Sequence, residues 1–352
     1  MAKALKLSYH RYTLKLKHTF TVSSFSRNET PVVLTEIEYK GKVGYGEASL
    51  PQYLGETQES VMDFLSKIDF RKFEDPLDIE SILNYVGNIE YGNNAAKASV
   101  DIALHDLVGK LLGMPLYKYF GLAEPTHAYT SYTIGIDRKE IIKTKIDEAK
   151  DFKYLKIKLG TDNDKEIIET VRSVTNKPLY VDVNQGWNNR KEALEMIESL
   201  FDKNVILIEQ PMPKEHIDDI VWLNERSPLP IIADESVKRL QDIDKVKDIY
   251  SGLNIKLMKS TGLRETLLMI NKARDFGLKV MLGCMTETSC AVSAMANLSS
   301  LADWIDLDGP LLISNDLFDG ISYINGEIKL NALPGIGLIN KSLFLEQKKH
   351  ID

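Results

Sequence analysis

Tyr154-Leu155-Lys156-Ile157-Lys158-Leu159-Gly160 alternates apolar and charged side chains, and alternation is the period of a strand. Leu155, Ile157 and Leu159 share one face and Lys156 and Lys158 the other, because side chains two apart on a strand point the same way. Two neighbouring ammonium groups each ease the loss of the other's proton, and burial pushes the same way. A lysine lowered by about two or three units becomes a usable base near neutral pH. Taken alone, the stretch reads equally well as a solvated strand face with two surface lysines. Its surroundings decide between the two.

After Pro125 strand-like runs alternate with amphipathic helical runs. Strands are predicted at 128–134, 154–159, 179–183, 205–208, 230–233, 252–257, 279–282 and 304–307. Helices are predicted at 138–150, 164–175, 190–201, 262–276 and 288–301. A strand about every 25 residues with helices between means βαβ units and a parallel sheet, and eight such strands fit a closed barrel. Upstream, residues 6–46 read as an antiparallel meander, with a turn at Lys40-Gly41-Lys42 and a polar loop over 19–28 that carries Phe20 and Phe25. A helix follows over 94–112, ended by Gly113 with Pro115 just beyond. The fold expected is therefore α/β: an α+β capping domain over 1–125, a barrel over 126–320, and a tail, 321–352, that packs back on the cap.

Composition narrows the function. The 352 residues are 43% hydrophobic and 27% charged, with a net charge of -7, as in ordinary soluble proteins. The charges are mixed along the chain, so no basic patch argues for nucleic acid or an anionic membrane. No apolar run is long enough to span a bilayer, and the first residues carry no signal-peptide core. Cys284 and Cys290 form neither a disulfide framework nor a zinc pattern, which suits a cytoplasmic location.

A βα barrel keeps its active site at the C-terminal strand ends, and these ends carry a pattern. The third predicted strand ends on Asp182, the fourth on Glu209 and the fifth on Asp234; the second carries Lys156 and Lys158, and the sixth Lys256. Three converging carboxylates cannot all stay ionised without a cation, and a hard divalent ion such as Mg²⁺ suits oxygen ligands. The six histidines lie elsewhere, against zinc. Strands two and six flank strand four, so Lys158 and Lys256 stand on opposite sides of the ion. A substrate α-carbon held between them can lose a proton to one lysine and regain one from the other. Lys259 reads as an exposed loop lysine and Cys284 as a small pocket-wall residue.

The motifs Lys156-Ile157-Lys158, Asp182-Val183-Asn184, Ile208-Glu209-Gln210-Pro211, Ala233-Asp234-Glu235-Ser236, Asn254-Ile255-Lys256-Leu257, Gly283-Cys284-Met285-Thr286-Glu287 and Asp306-Leu307-Asp308 resemble the enolase superfamily, muconate-lactonizing-enzyme subgroup, and most closely its dipeptide epimerases of the L-Ala-D/L-Glu kind. The resemblance covers nearly the whole chain and departs at Thr261-Gly262, where relatives often carry Gly-Gly. It implies a (β/α)₇β modified TIM barrel beneath a cap. It implies one Mg²⁺ per subunit, replaceable by Mn²⁺, on Asp182, Glu209 and Asp234. Lys158 and Lys256 become the acid/base pair, with Lys156 stabilising substrate charge and lowering the pKa of Lys158. A small dipeptide substrate and a homo-oligomer are expected.

Asp306 and Asp308 share a strand face with no lysine or arginine nearby in sequence. Their missing cation is assigned to a substrate α-ammonium. N-acyl amino acid racemases, succinylbenzoate synthases and cycloisomerases of the subgroup handle substrates without one. The second residue's side chain is expected towards the loop at 21–28. There Arg27, with Lys17 behind it, suits glutamate, whereas Phe20 and Phe25 suit an apolar residue. Thr133 and Met285 complete the predicted substrate contacts.

Overall fold

The computed structural model describes residues 5–342 and 344. Its N-terminal part is an antiparallel sheet of β1 (Lys6–Thr21), β2 (Ser26–Tyr39) and β3 (Lys42–Ser49). Lys40 and Gly41 both take positive φ, 49° and 77°, the left-handed pair that lets a two-residue hairpin follow strand twist. The Asn94–Leu112 helix packs on β3 and is buried at every residue from Ala95 to Gly109. It lies against the strand so closely that a Cβ on Gly44 would sit 2.0 Å from the Ala103 carbonyl oxygen, and one on Gly46 1.9 Å from that of Ser99. Glycine at these two positions is a packing requirement.

The polar loop expected over 19–28 is a correction. Phe20 pairs with Arg27 and Thr21 with Ser26, after a register shift beyond Lys15. Only 22–25 form the hairpin tip, closed by the Val22 N–H donating to the Phe25 carbonyl at 3.0 Å. The β-branched and aromatic residues flanking the tip favour this pairing.

The barrel is a parallel sheet of β4 (Ser131–Ile134), β5 (Tyr154–Lys158), β6 (Leu179–Asp182), β7 (Val205–Glu209), β8 (Ile231–Ala233), β9 (Gly252–Lys256), β10 (Lys279–Gly283) and β11 (Trp304–Asp306), hydrogen-bonded in chain order. It closes where Thr130 bridges to Ile305 and the Leu307 N–H donates to Thr130 Oγ1 at 2.8 Å. A helix follows each of the first seven strands, including two that the sequence reading left unassigned, Ile217–Asn224 and the single turn Ile243–Val246. After β11 only the turn Gly309–Leu312 follows, so the barrel is (β/α)₇β, as expected.

Inside the barrel, Tyr180, Leu207, Ile232 and Met281 form an apolar plug. Two residues further along the same strands stand Asp182 and Glu209, and beyond β8 Asp234. Side chains two apart share a face, so the layer above the plug is charged. The chain after the barrel divides. The hairpin Ser322–Ile324 with Glu327–Lys329 sits on the barrel, where the Ile328 N–H donates to the Ala128 carbonyl at 2.8 Å. The following segment reaches the cap, where the Ile336 N–H donates to Asp106 Oδ1 at 2.9 Å and Asn340 Nδ2 to Tyr45 Oη at 2.8 Å. The last part of the predicted tail, 345–352, lies outside the described residues. Among the described residues no helix is long and apolar enough to cross a membrane.

Candidate active site

Asp182 ends β6, Glu209 ends β7 and Asp234 follows β8 by one residue. Parallel register sets Lys158 beside Asp182, and Asp182 beside Glu209. Carboxylate oxygens of Asp182, Glu209 and Asp234 all lie within 4.8 Å of one another, and all three residues are buried. Lysines surround them. Lys156 Nζ is 3.0 Å from Asp182 Oδ2, 2.7 Å from Glu209 Oε2 and 2.7 Å from Asp306 Oδ2. Lys158 Nζ is 2.5 Å from Asp182 Oδ2, and Lys256 Nζ is 2.7 Å from Asp234 Oδ2. Asn254 Nδ2 donates to Glu209 Oε1 at 2.8 Å. The ligand-capable set is oxygen-only, without histidine or cysteine, and this donor chemistry fits a hard divalent cation.

The electrostatics correct one expectation. Burial alone would lower Lys156 and Lys256. Yet Asp182, Asp306 and Glu209 hold Lys156 well above its ordinary value, and Asp234 does the same for Lys256. Attraction between opposite charges a hydrogen bond apart outweighs both burial and the mutual repulsion of the amines. The acids divide accordingly. Burial raises Asp182, but Lys156 and Lys158 bring it down to about 2; Lys256 and Lys259 likewise hold Asp234 well below the carboxylate range against burial. Glu209 is pushed up to about 7 by burial and by the neighbouring Asp182 charge.

Two further corrections concern partners hidden in the sequence. Asp306 does not lack a cation: Lys156 Nζ and Ser131 Oγ both donate to it at 2.7 Å, from 150 and 175 residues away. Of the two, only Asp308 has no ion-pair partner among the described residues. It accepts from the Thr133 N–H at 2.6 Å, and burial with the adjacent Asp306 pushes it up to about 7. Lys259 is not an exposed loop residue. It is 1% exposed, and its Nζ donates to Asp234 Oδ1 at 2.6 Å.

Above the charged layer lies a cavity of about 190 Å³. Of the residues predicted from sequence, Lys156, Lys158, Lys256, Asp306 and Thr133 line it from the barrel strands, and Asp234 and Asp308 from just beyond them. Met285 lines it from the loop after β10, and Phe20, Phe25 and Arg27 from the cap hairpin. Asp182 and Glu209 are fully buried and do not line it. The Arg27 guanidinium carbon stands 5.4 Å from the Phe20 ring centre and 5.5 Å from that of Phe25. Its Nη2 donates to Thr286 Oγ1 at 2.7 Å, and burial lowers it to about 10. Lys17 does not line the cavity. Cys284 does, its thiol pushed well up by burial.

Sequence reasoning missed Tyr53, whose Oη contacts Met285 Sδ at 2.9 Å, and Lys214 and Lys238, on loops after β7 and β8. None of the three falls at a strand end, the signal that exposed the others. The Thr261-Gly262 departure leaves the turn intact: Thr261 takes the left-handed φ of 66°, and its Oγ1 donates to Glu265 Oε2 at 3.1 Å.

Comparisons with known proteins follow the same lines. Residues 9–121 match the mandelate racemase / muconate lactonizing enzyme N-terminal domain, and residues 141–340 the enolase C-terminal domain-like family. The chain is 55% identical to an L-Ala-D/L-Glu epimerase of Bacteroides thetaiotaomicron, over 95% of this chain and 88% of that protein. Its structure resembles a substrate-liganded L-Ala-D/L-Glu epimerase of Bacillus subtilis (TM-score 0.89, 28% identity, 96% of this chain and 99% of the other). It also resembles a dipeptide epimerase of Cytophaga hutchinsonii complexed with Mg and D-Ala-L-Val (TM-score 0.90, 27% identity, 99% and 98%). The chain belongs to the mandelate racemase / muconate lactonizing enzyme family of the enolase superfamily.

Proposed function

We infer that this protein is a dipeptide epimerase that inverts the α-carbon of the C-terminal residue of L-Ala-D/L-Glu. The observation that carries the reading is the pair of lysines on the outer members of the acidic triad. Lys158 bonds Asp182 and Lys256 bonds Asp234, from strands two places to either side of β7. A carbon held above Glu209 meets one amine on each face. Lys158 removes the proton from one epimer and Lys256 from the other, and in each direction the opposite lysine returns a proton. Lys256 is a base only when the Asp234 charge is engaged elsewhere. Lys156, gripped by three carboxylates, stays protonated and offers a fixed positive charge as negative charge develops. Asp182, Glu209 and Asp234 would hold one Mg²⁺ per subunit, with Mn²⁺ able to substitute. When bound, the ion supplies positive charge to the carboxylate beside the carbon that loses its proton.

Asp308 takes the substrate's α-ammonium, with Asp306 beside it already balanced by Lys156. Arg27 faces the glutamate carboxylate, an assignment supported by the 55% identical relative named for that substrate. A second reading, an apolar second residue, rests on Phe20 and Phe25, which flank the guanidinium. The test is α-proton exchange in ²H₂O, followed by mass spectrometry, for L-Ala-L-Glu, L-Ala-L-Val and their N-acetyl forms. Free L-Ala-L-Glu should exchange fastest and acetylation should abolish exchange. Preference for the valine dipeptide removes the Arg27 assignment, and equal turnover of acetylated substrates removes the role of Asp308.

A further inference from the structure

Lys259 has a place in this centre that the reaction above does not use. It lies in the single turn Leu257–Ser260 directly after β9. Its ammonium has three N–H donors, and the structure provides three acceptors: the Asp234 carbonyl at 2.7 Å, Asp234 Oδ1 at 2.6 Å and the Asn254 carbonyl at 2.9 Å. Every donor of a buried lysine is thereby satisfied. The two oxygens of Asp234 become unequal: Oδ1 is committed to Lys259, while Oδ2 faces Lys256 at 2.7 Å.

Gripping both the main-chain and a side-chain oxygen of one residue closes a ring that fixes the rotation of the Asp234 side chain. The third bond ties that ring to β9 at Asn254, whose own side chain donates to Glu209 Oε1 at 2.8 Å. One ammonium therefore sets Asp234 directly and Glu209 through Asn254. The lysine cannot swing away, because its turn is held from the cap. Asn94 Nδ2 donates to the Lys259 carbonyl at 3.0 Å. The next residues are confined too, since a Cβ on Gly262 would lie 2.4 Å from that of Asp101.

We propose that Lys259 is a positioning residue: it locks Asp234 so that Oδ2 is presented to a divalent cation, at the cost of placing a like charge near that cation. The proposal rests on the metal reading above. It differs in sign from the simpler idea that Lys259 merely neutralises Asp234. If it only neutralised, its removal would tighten cation binding, since a repelling charge is lost. If it positions, removal weakens binding, as loss of a partner that orients a metal ligand typically does by about 10- to 100-fold.

The test is calorimetric titration of Mg²⁺ into chelator-treated wild type, Lys259→Met and Lys259→Gln, with circular dichroism as the check on folding. The Met variant should bind about 10- to 100-fold more weakly, and Gln, which keeps N–H donors without the charge, should recover part of the loss. Binding by the Met variant as tight as wild type or tighter overturns the proposal. So does loss of the native spectrum in both variants, which would make Lys259 a folding residue. A wild type that takes up no Mg²⁺ would instead contradict the metal reading itself.

Discussion

Lys156 and Lys256 on one side and Asp182 and Asp234 on the other hold each other in charge states that burial alone would oppose. Asp308, like Glu235, is a cavity acid without an ion-pair partner among the described residues, and its behaviour with pH follows. Burial and Asp306 raise it to about 7, and only its ionised form attracts an ammonium. Affinity for a free dipeptide should therefore rise with pH through 7. Between pH 6 and 8 the ionised fraction grows about tenfold while a substrate ammonium of pKa about 8 loses about half its protonated form, so KM should fall by about three- to fivefold, and Asp308→Asn should remove that fall. A KM that is flat in the wild type would contradict the assignment. At this scale the sequence revealed the residues that end strands, because position in a barrel strand dictates where a side chain points. It could not reveal partners such as Lys156 and Asp306, which meet only when the barrel closes β11 against β4. Nor could it reveal that Lys259 is buried, since nothing local separates a buried lysine on a single turn from an exposed one.

Among the elements, the βα rhythm carried nearly all of the barrel. Strand 154–158 and helix 190–201 were legible almost to the residue, because hydrophobic periodicity is strong in both. The single turn Ile243–Val246 was not, being too short to show a period. The cap hairpin was misread because polar residues at 19–28 look the same in a loop and in an exposed two-stranded ribbon. Two contacts between cap and barrel have a consequence at this scale. Asp101, on the Asn94–Leu112 helix, accepts from the Leu263 N–H at 2.6 Å at the start of the Leu263–Asp275 helix. Glu47, on β3, accepts from the Thr288 N–H at 3.0 Å at the start of the Ser289–Ala296 helix. Cap residues thus terminate two neighbouring barrel helices. Removing a helix-capping acid costs about 0.5–2 kcal/mol. Asp101→Ala should therefore lower stability in urea by at least that amount, and a melt unchanged from wild type would show that the contact does not couple the two parts.

The whole molecule buries acids that titrate late. Glu47 is pushed up to about 7 and Glu287 to about 8, chiefly by burial, against about 4.3 in an unfolded chain. The folded state therefore holds extra protons between these values. Their contribution to stability is present below pH 4 and is lost as pH rises through 7 to 8. Glu287→Gln should raise Tm at pH 8.5 by about 2 °C or more, and by clearly less near pH 5, where only the first part of this stability has been lost. The centre makes a second global prediction: exhaustive chelation should abolish activity and lower Tm, with Mg²⁺ restoring both. The central claim, however, is that two lysines act on opposite faces of one carbon, and exchange of the α-proton in ²H₂O with each epimer tests it most directly. With Lys256→Ala one epimer should still exchange while the other does not, and Lys158→Ala should reverse the preference. Equal loss of exchange for both epimers in both variants would contradict the two-base account.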